Sequence, residues 1–425
     1  MTELALITAG ESHGPSLTAI VQGLPAGLHL QQAFVDAQLA RRQGGHGRSA
    51  RQRIETDRAQ VTAGLRHGVT LGTPVAISIA NRDHANWDAV MAAWPTQEQQ
   101  ENWRDRSIHV PRPGHADLGG IARGGFEDGL RSVLERASAR ETAARVAGGA
   151  FALAMLARLG IVVRAHVRAV GSASTAQGTP TEVDPRWTEL DARAMRALDA
   201  DDDARMVEEV DSAAADRDTL GGEIEVVAYG VPPGIGGYAT SQERLDGRLA
   251  GALLSVHAMK SVAIGDGASA AVERGSAVHD EIVPAADLDP AAPVGGVGGD
   301  QGMGVTRRTN RSGGIEGGMS TGGPIVARVA MKPLPTLMRP LATVDLVSGD
   351  VAAAHAERSD TCAVPAAAVV LECALAFELA RVIREQFGSM AMADVEAGWR
   401  AYCERVRYPH RPSVVLEPLG SVALG

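Results

Sequence analysis

Aromatic residues are scarce in this 425-residue chain, making up 3% of it. A core of ordinary size must therefore be built from alanine, valine, leucine and isoleucine, within an apolar content of 45%. Lysine is nearly missing: Lys260 and Lys332 are the only two, and arginine carries almost all the positive charge. That bias is compositional and is not itself a functional signal. Cysteine is limited to Cys362, Cys373 and Cys403. The set is odd and widely spaced, without the paired spacing of a metal site or a disulfide framework. Such cysteines read as buried thiols in a reducing compartment, so a cytoplasmic location is expected. No apolar run reaches the roughly 20 residues of a membrane span. The first residues lack a basic-then-apolar signal region, and no membrane association is expected. The longest glycine-rich stretch, residues 293–323, contains neither a Walker A pattern nor GxGxxG, so a P-loop or Rossmann nucleotide site is not supported.

What is present is charge, unevenly placed. The formal net charge is −10, which argues against generic nucleic-acid binding. Yet Arg41, Arg42, Arg48, Arg51, Arg53, Arg58 and Arg66 cluster early, and Arg104, Arg106, Arg112, Arg123, Arg131, Arg136, Arg140 and Arg145 form a second group. Acid is concentrated between Glu182 and Glu225, including Asp201-Asp202-Asp203. Two arginine-rich patches on an acidic protein suit a small, multiply charged anion. The length fits two or three ordinary domains or one large one.

The chain opens on a short apolar strand, Leu4 to Ala9, that stops at Gly10 and runs into Glu11-Ser12-His13-Gly14-Pro15. A carboxylate, a hydroxyl and an imidazole in succession at a Gly/Pro turn beyond a strand end form a candidate reactive site. A second strand is expected over residues 18–28 and a helix over 31–42. Gly44-Gly45-His46-Gly47 must then be a loop. Glycine backbone flanked by Arg48, Arg51 and Arg53 suits phosphate or carboxylate, which guanidinium forks grip in bidentate fashion. Residues 73–80 read as a strand, and 81–110 as a long surface excursion or lid. Pro111-Arg112-Pro113-Gly114-His115-Ala116-Asp117 presents a histidine on a stiffened loop between Arg and Asp.

Residues 127–159 read as one long helix, with a break expected at Gly148-Gly149, placing Arg136 and Arg140 on one face. Strands are expected at 161–170, 222–230 and 324–330, with helices at 185–198, 204–217, 241–255 and 362–377. The order loosely repeats, suggesting two similar layers. Residues 268–304 read as a further excursion, and the glycine-rich stretch as backbone suited to a flat ring or a phosphate, or else a linker. Lys332, held before two prolines, reads as a stiffly placed charge.

Five segments together resemble the signatures of the chorismate synthase family: Gly10-Glu11-Ser12-His13-Gly14, Arg112-Pro113-Gly114-His115-Ala116-Asp117, Ser138-Ala139-Arg140-Glu141-Thr142-Ala143, Gly313-Gly314-Ile315-Glu316-Gly317-Gly318 and Arg358-Ser359-Asp360. They appear in that family's order and cover nearly the whole chain. The resemblance implies an α+β fold, a β-α-β sandwich forming a single large domain over residues 1–425, and a homotetramer. It implies conversion of 5-enolpyruvylshikimate 3-phosphate to chorismate and phosphate, a 1,4-anti elimination that requires reduced FMN without net redox change, in the shikimate pathway of aromatic amino-acid biosynthesis.

Carried onto this sequence, the resemblance gives Ser12, Arg42, Arg48, Arg112, Ser138, Arg140 and Arg358 as substrate-binding residues. His13 would protonate the departing phosphate, His115 would act near the flavin, and Asp360 would assist proton removal at flavin N5. Arg136, Ala137, Ser138, His257, Ala258, Gly317, Lys332, Pro333, Leu334, Pro335, Thr336 and Arg358 match the family's FMN contacts. Arg42 and Arg48 match positions that bifunctional relatives associate with NADPH. The sequence departs from the family pattern at Ala137, His257 and Thr361. It has no flavin-reductase segment, so an external flavin reductase is expected to supply reduced FMN, with NADPH acting only indirectly. A metal-dependent phosphohydrolase is the first competing reading. Its HxE-like pairs, His279-Asp280-Glu281 and His355-Ala356-Glu357, lack a nearby third ligand, and no metal is expected. A non-catalytic anion-binding protein is the second.

Overall fold

The computed structural model describes residues 3–48, 56–102, 107–125, 129–285, 304–354 and 360–407. Two antiparallel sheets form its outer layers. The first has strands β1 (Ala5–Ala9), β2 (Ser16–Gln22), β3 (Gln60–Ala63) and β4 (Val75–Ala80) in the order β1-β2-β4-β3. Helix α1 (Gln32–Gln43) crosses between β2 and β3. Then come α2 (Asp117–Gly124), α3 (Arg131–Arg136) and α4 (Thr142–Arg158). The second sheet has β5 (Val162–Val170), β6 (Ala173–Ser174), β7 (Gly222–Tyr229), β8 (Met259–Ile264) and β9 (Ile325–Met331), in the order β8-β9-β7-β5-β6. Helix α5 (Ala200–Ala215) joins β6 to β7, and α6 (Leu245–Leu254) joins β7 to β8. The last helices are α7 (Val364–Gln386) and α8 (Met392–Arg407).

The layers follow from burial patterns. In β2 and β4 every second residue is apolar and buried (Leu17, Ala19, Val21; Val75, Ile77, Ile79), so one face of that sheet needs a partner. Helix α4 supplies it, packing on β1, β2 and β4, and α7 packs on α4, β5 and β7. In β7 the run from Ile224 to Tyr229 is buried without alternation. Its strand is covered on both faces: α7 lies on one, while Trp187, Leu190 and Leu198 join Val227, Tyr229 and Val326 in a separate apolar cluster. The result is α+β, helices sandwiched between two sheets.

A core poor in aromatics needs close backbone approach to fill space. Residues 148 and 149 provide it. A Cβ on Gly149 would lie 2.5 Å from the Cys373 Cβ on α7, and one on Gly148 would lie 2.5 Å from the Leu6 side chain on β1. These glycines therefore sit inside an unbroken α4, where the sequence suggests an interruption. The interruption is instead at residues 137–141. Ser138 is extended, with φ −69° and ψ 141°, and its side chain accepts a hydrogen bond from the Arg140 N–H, starting a 3-10 turn. Arg136 and Arg140 consequently share no helix face.

Other boundaries move for similar local reasons. The second strand ends at Gln22, because Gly23 adopts φ +80° against Glu3 and Leu4. The helix expected at 185–198 stops after the short turns Arg186–Glu189 and Leu190–Ala192, since the Asp203 carboxylate takes the backbone N–H groups of Ala194, Met195 and Ala197. Helix α7 runs on to Gln386, beyond the expected 377. From residue 304 on, the described residues form antiparallel pairings rather than a linker: Val305–Arg307 pairs with Ile282–Pro284, and Ile315–Glu316 with Met319–Ser320. Among the described residues no helix is long and apolar enough to cross a membrane.

Candidate active site

The turn after β1 requires its glycine. Gly10 has φ +104°, and a Cβ there would meet the Ser16 carbonyl oxygen at 2.5 Å. The following Ser12 and His13 are buried. Asn81, just past β4, clamps the turn by donating to the carbonyls of Glu11 (3.1 Å) and Gly14 (2.8 Å). His13 rests on Glu135, at the end of α3. The carboxylate accepts from the His13 backbone N–H at 2.8 Å and lies 2.8 and 2.9 Å from Nδ1. The imidazole stacks on Trp87, with ring centroids 4.1 Å apart. Trp87 belongs to the segment after β4, which the sequence offers as a surface excursion or lid, and it covers one face of the His13 ring.

Arg42, in the last turn of α1, is 4% exposed. It donates to the Thr142 hydroxyl (2.9 Å) and the Ala139 carbonyl (3.1 Å). Arg140 places Nη1 2.7 and 2.8 Å from the two Asp57 oxygens and donates from Nε to Asn81 at 3.0 Å. Arg42 Nη1 approaches the same Asp57 at 3.5 Å. One buried carboxylate therefore holds two arginines from different elements beside each other. Ser138 donates to Ser12 at 3.2 Å.

These side chains converge on a cavity of about 190 Å³. Ser12, Arg42, Arg48, Ser138, Arg140 and Asp360 form its polar side, while Met259, Met331, Leu334, Ala363, Ala367 and Val370 form an apolar side. Arg48 pairs with Asp360 at 2.8 Å. Arg48 Nε is buried without a hydrogen-bond partner among the described residues, so an acceptor entering the cavity meets a donor already desolvated.

His257 and Ala258 also line the cavity. Ala258 adopts φ +68°, a left-handed conformation that is strained for a residue with a Cβ. Burial holds the His257 imidazole below its ordinary pKa; Glu141, 3.7 Å away, pulls it back up, while Arg145, Arg136 and His115 push it down.

The loop from Pro111 to Asp117 is a closed ring of contacts. Asp117, 1% exposed, accepts from Arg112 Nε (2.9 Å), Nη2 (3.1 Å) and backbone N–H (3.0 Å), and from His115 Nδ1. Burial would raise the Asp117 pKa, but His115 and Arg112 outweigh it and hold the carboxyl far below its usual range. Lys332 ties this loop to β9 by donating to the Gly114 carbonyl at 2.8 Å. Burial, then Lys260, lowers the Lys332 pKa.

The structure thus gathers Ser12, Arg42, Arg48, Ser138, Arg140, His257, Ala258, Leu334 and Asp360 around one cavity. His13 lies behind Ser12, and Arg112 and His115 lie on the loop that Lys332 tethers. Arg136 turns away from Arg140 to bind the Thr8 and Gly10 carbonyls at 2.8 and 3.1 Å. Gly317 sits in the turn of the Ile315–Ser320 hairpin, outside the cavity lining. Arg358 lies outside the described residues. Sequence reasoning missed Asp57, Asn81 and Glu135. Each is an isolated polar residue without a motif of its own, and its partners are distant in sequence. Among the described residues no group of three or more His, Cys, Asp or Glu side chains could hold a metal ion.

The chorismate synthase family profile matches residues 4–383. A chorismate synthase of Desulforudis audaxviator is 49% identical over 413 residues, covering 95% of this chain and 98% of its own. One from Mycolicibacterium vanbaalenii is 47% identical over 403 residues, covering 94% and 95%. A crystal structure of chorismate synthase matches with a TM-score of 0.72 and 34% identity, covering 96% of this chain and 99% of that one. With the five signature segments and the sandwich architecture, these likenesses establish that the chain belongs to the chorismate synthase family.

Proposed function

We propose that the cavity binds 5-enolpyruvylshikimate 3-phosphate and releases chorismate and phosphate by 1,4-anti elimination with reduced FMN, as a step of the shikimate pathway. The observation that carries this reading is the cavity itself, whose lining combines Arg42, Arg48 and Arg140 with a set of apolar side chains. The substrate has a phosphate and two carboxylates. Arg42, Arg48 and Arg140 line the cavity as their counter-charges, and Arg112 and Arg358 are the further substrate-binding residues of this reading. Ser12 and Ser138 donate hydrogen bonds to the same anion. Because Asp57 and the Ala139 carbonyl hold Arg42 and Arg140 in place, little ordering entropy is lost on binding.

His13 acts as the acid that protonates the departing phosphate, since Glu135 supports a positive imidazole next to Ser12. Asp360, paired with Arg48 at 2.8 Å, assists removal of the ring proton. His115 acts beside the cofactor, oriented by Asp117. Arg136, Ala137, Ser138, His257, Ala258, Gly317, Lys332, Pro333, Leu334, Pro335, Thr336 and Arg358 would hold FMN. Arg48 Nε, without a partner among the described residues, and the apolar side chains of Leu334 and Val370 fit an anionic ring system. When bound, reduced FMN supplies electron density to the allylic system as phosphate leaves. Exclusion of water by the apolar wall strengthens each charge interaction.

The same reading takes the enzyme as a lyase on a phosphate ester, working as a homotetramer in the cytoplasm. An external flavin reductase would supply it, with NADPH used only indirectly. Buried free Cys362 and Cys373 favour a reducing compartment. The test is an anaerobic assay of phosphate release. Chemically reduced FMN should support turnover, and turnover with oxidised FMN alone would sink the cofactor assignment.

A further inference from the structure

Glu135 is wholly buried at the side chain, yet nothing in the reaction asks it to touch substrate. It is fixed by three ties to the turn after β1. Its backbone carbonyl accepts from the Ser12 N–H at 3.1 Å. One carboxylate oxygen accepts from the His13 N–H at 2.8 Å, and both lie within 2.9 Å of His13 Nδ1. Every described hydrogen bond of the His13 ring is made by Nδ1. The ring cannot rotate away, because Trp87 stacks on it at 4.1 Å.

We propose that Glu135 is a positioning residue for His13: its carboxylate fixes Nδ1 as a permanently protonated donor, so that Nε2 alone carries the mobile proton. A histidine ring with both nitrogens free is an acid of uncertain geometry. One pinned at Nδ1 delivers its proton from one atom in one direction and is stabilised as imidazolium by the adjacent negative charge. This extends the proposed reading, in which His13 is the acid, to the residue that makes it one.

The surroundings set the balance of charge on the ring. From α3 come Glu135 and Arg131; Arg131 lies 3.3 Å from the Glu135 carboxylate and 5.0 Å from the Trp87 ring centroid. From the turn after β4, His84 Nδ1 meets the His13 carbonyl at 3.0 Å, and Asp88 lies 3.6 Å from His84. Glu11 is two residues before His13 in the same turn. Burial would raise the Glu135 pKa, but the hydrogen bond and charge of His13, with Arg131, hold it below its ordinary value.

The balance is a proton transfer only. The Nε2–H bond breaks as the proton passes to a phosphate oxygen, the lone pair stays on Nε2, and Glu135 retains its charge throughout. Nδ1–H is neither made nor broken.

Two measurements test this. The first needs no variant: 15N NMR of the histidine rings in the full-length protein, with His13 assigned by comparison with His13→Gln. Neutral His13 is expected as the Nδ1–H tautomer, and the Nε2–H tautomer would overturn the proposal. The second compares Glu135→Gln with Glu135→Asp in the reduced-FMN assay across pH. Glu135→Gln keeps an acceptor for the backbone N–H but loses the charge. It is expected to lower kcat roughly 10- to 100-fold, the range seen when an orienting partner behind a histidine is lost. KM should stay within about twofold, and the alkaline limb of kcat should move to lower pH. Glu135→Asp should keep the wild-type limb at reduced kcat. An unmoved limb in Glu135→Gln would overturn the proposal even if kcat falls. Full activity in His13→Gln would instead refute the acid role of His13, a result that the tautomer measurement does not depend on.

Discussion

Arg48 and Asp360 stand 2.8 Å apart at the cavity wall, with side chains 11% and 14% exposed. The pair joins the loop after α1 to the loop before α7, segments more than 300 residues apart in sequence. Arg48 Nη1 holds the carboxylate, while its Nε is buried without a hydrogen-bond partner among the described residues. Arg48→Ala should weaken substrate binding by about 1.5–3 kcal/mol, the usual size of a charge-assisted contact. Steady-state kinetics should show this as a rise in KM. A KM equal to wild type would mean that Arg48 serves Asp360 alone.

His13→Ala should lower kcat by roughly 10²- to 10⁴-fold, the span of a lost general acid. FMN affinity, measured by fluorescence titration, should change little, since His13 is not among the residues proposed to hold FMN. Unaltered turnover would remove His13 from the mechanism.

Asp57 is 4% exposed between Arg42 and Arg140. Asp57→Ala leaves the buried Arg42 and the half-buried Arg140 without their shared counter-charge and should destabilise the fold by about 3–5 kcal/mol. Thermal unfolding would show the loss. Inorganic phosphate should restore more of the Tm in the variant than it adds to wild type, because an anion can then sit between the arginines. Equal phosphate shifts in both proteins would contradict that picture.

Gly149→Ala places a methyl group 2.5 Å from the Cys373 Cβ, where neither helix can yield without moving the other. Overpacking of this kind costs about 1–3 kcal/mol. Chemical denaturation should report it as a lower midpoint, and an unchanged midpoint would mean that α4 and α7 can slide apart.

Glu225, fully buried in β7, meets His166 at 3.1 Å and Arg328 at 2.9 Å. Burial would raise its pKa, but His166, Arg168 and Arg328 prevail and bring it to about 2 from an ordinary 4.5. A depressed pKa means stability that is present above pH 4.5 and is lost as pH falls from 4.5 toward 2. The drop corresponds to about 3 kcal/mol. Unfolding free energy of Glu225→Gln should be flatter than wild type across that window, and parallel curves would show that other carboxylates govern acid sensitivity.

The amino-acid order alone determined a good deal. The alternation in β2 and β4, the α1 boundaries and the motif turn at Gly10 are local: period, glycine placement and a buried face leave few other solutions. The reactive residue types in the five signature segments were legible too, because each motif concentrates its chemistry within a few positions. Only the folded chain decided the rest. Ser138 looked like a mid-helix residue until its side chain took the Arg140 N–H and turned the backbone. Gly148 and Gly149 looked like a break, yet the space they leave is what Leu6 and Cys373 fill. Asp57, Asn81 and Glu135 carry no local signal at all, since a carboxylate or an amide becomes an orienting group only when tertiary packing buries it against a partner far along the chain. Sequence spacing encodes which face of an element is apolar. It does not encode which distant charge will share a desolvated pocket, and that pairing is what shapes the site.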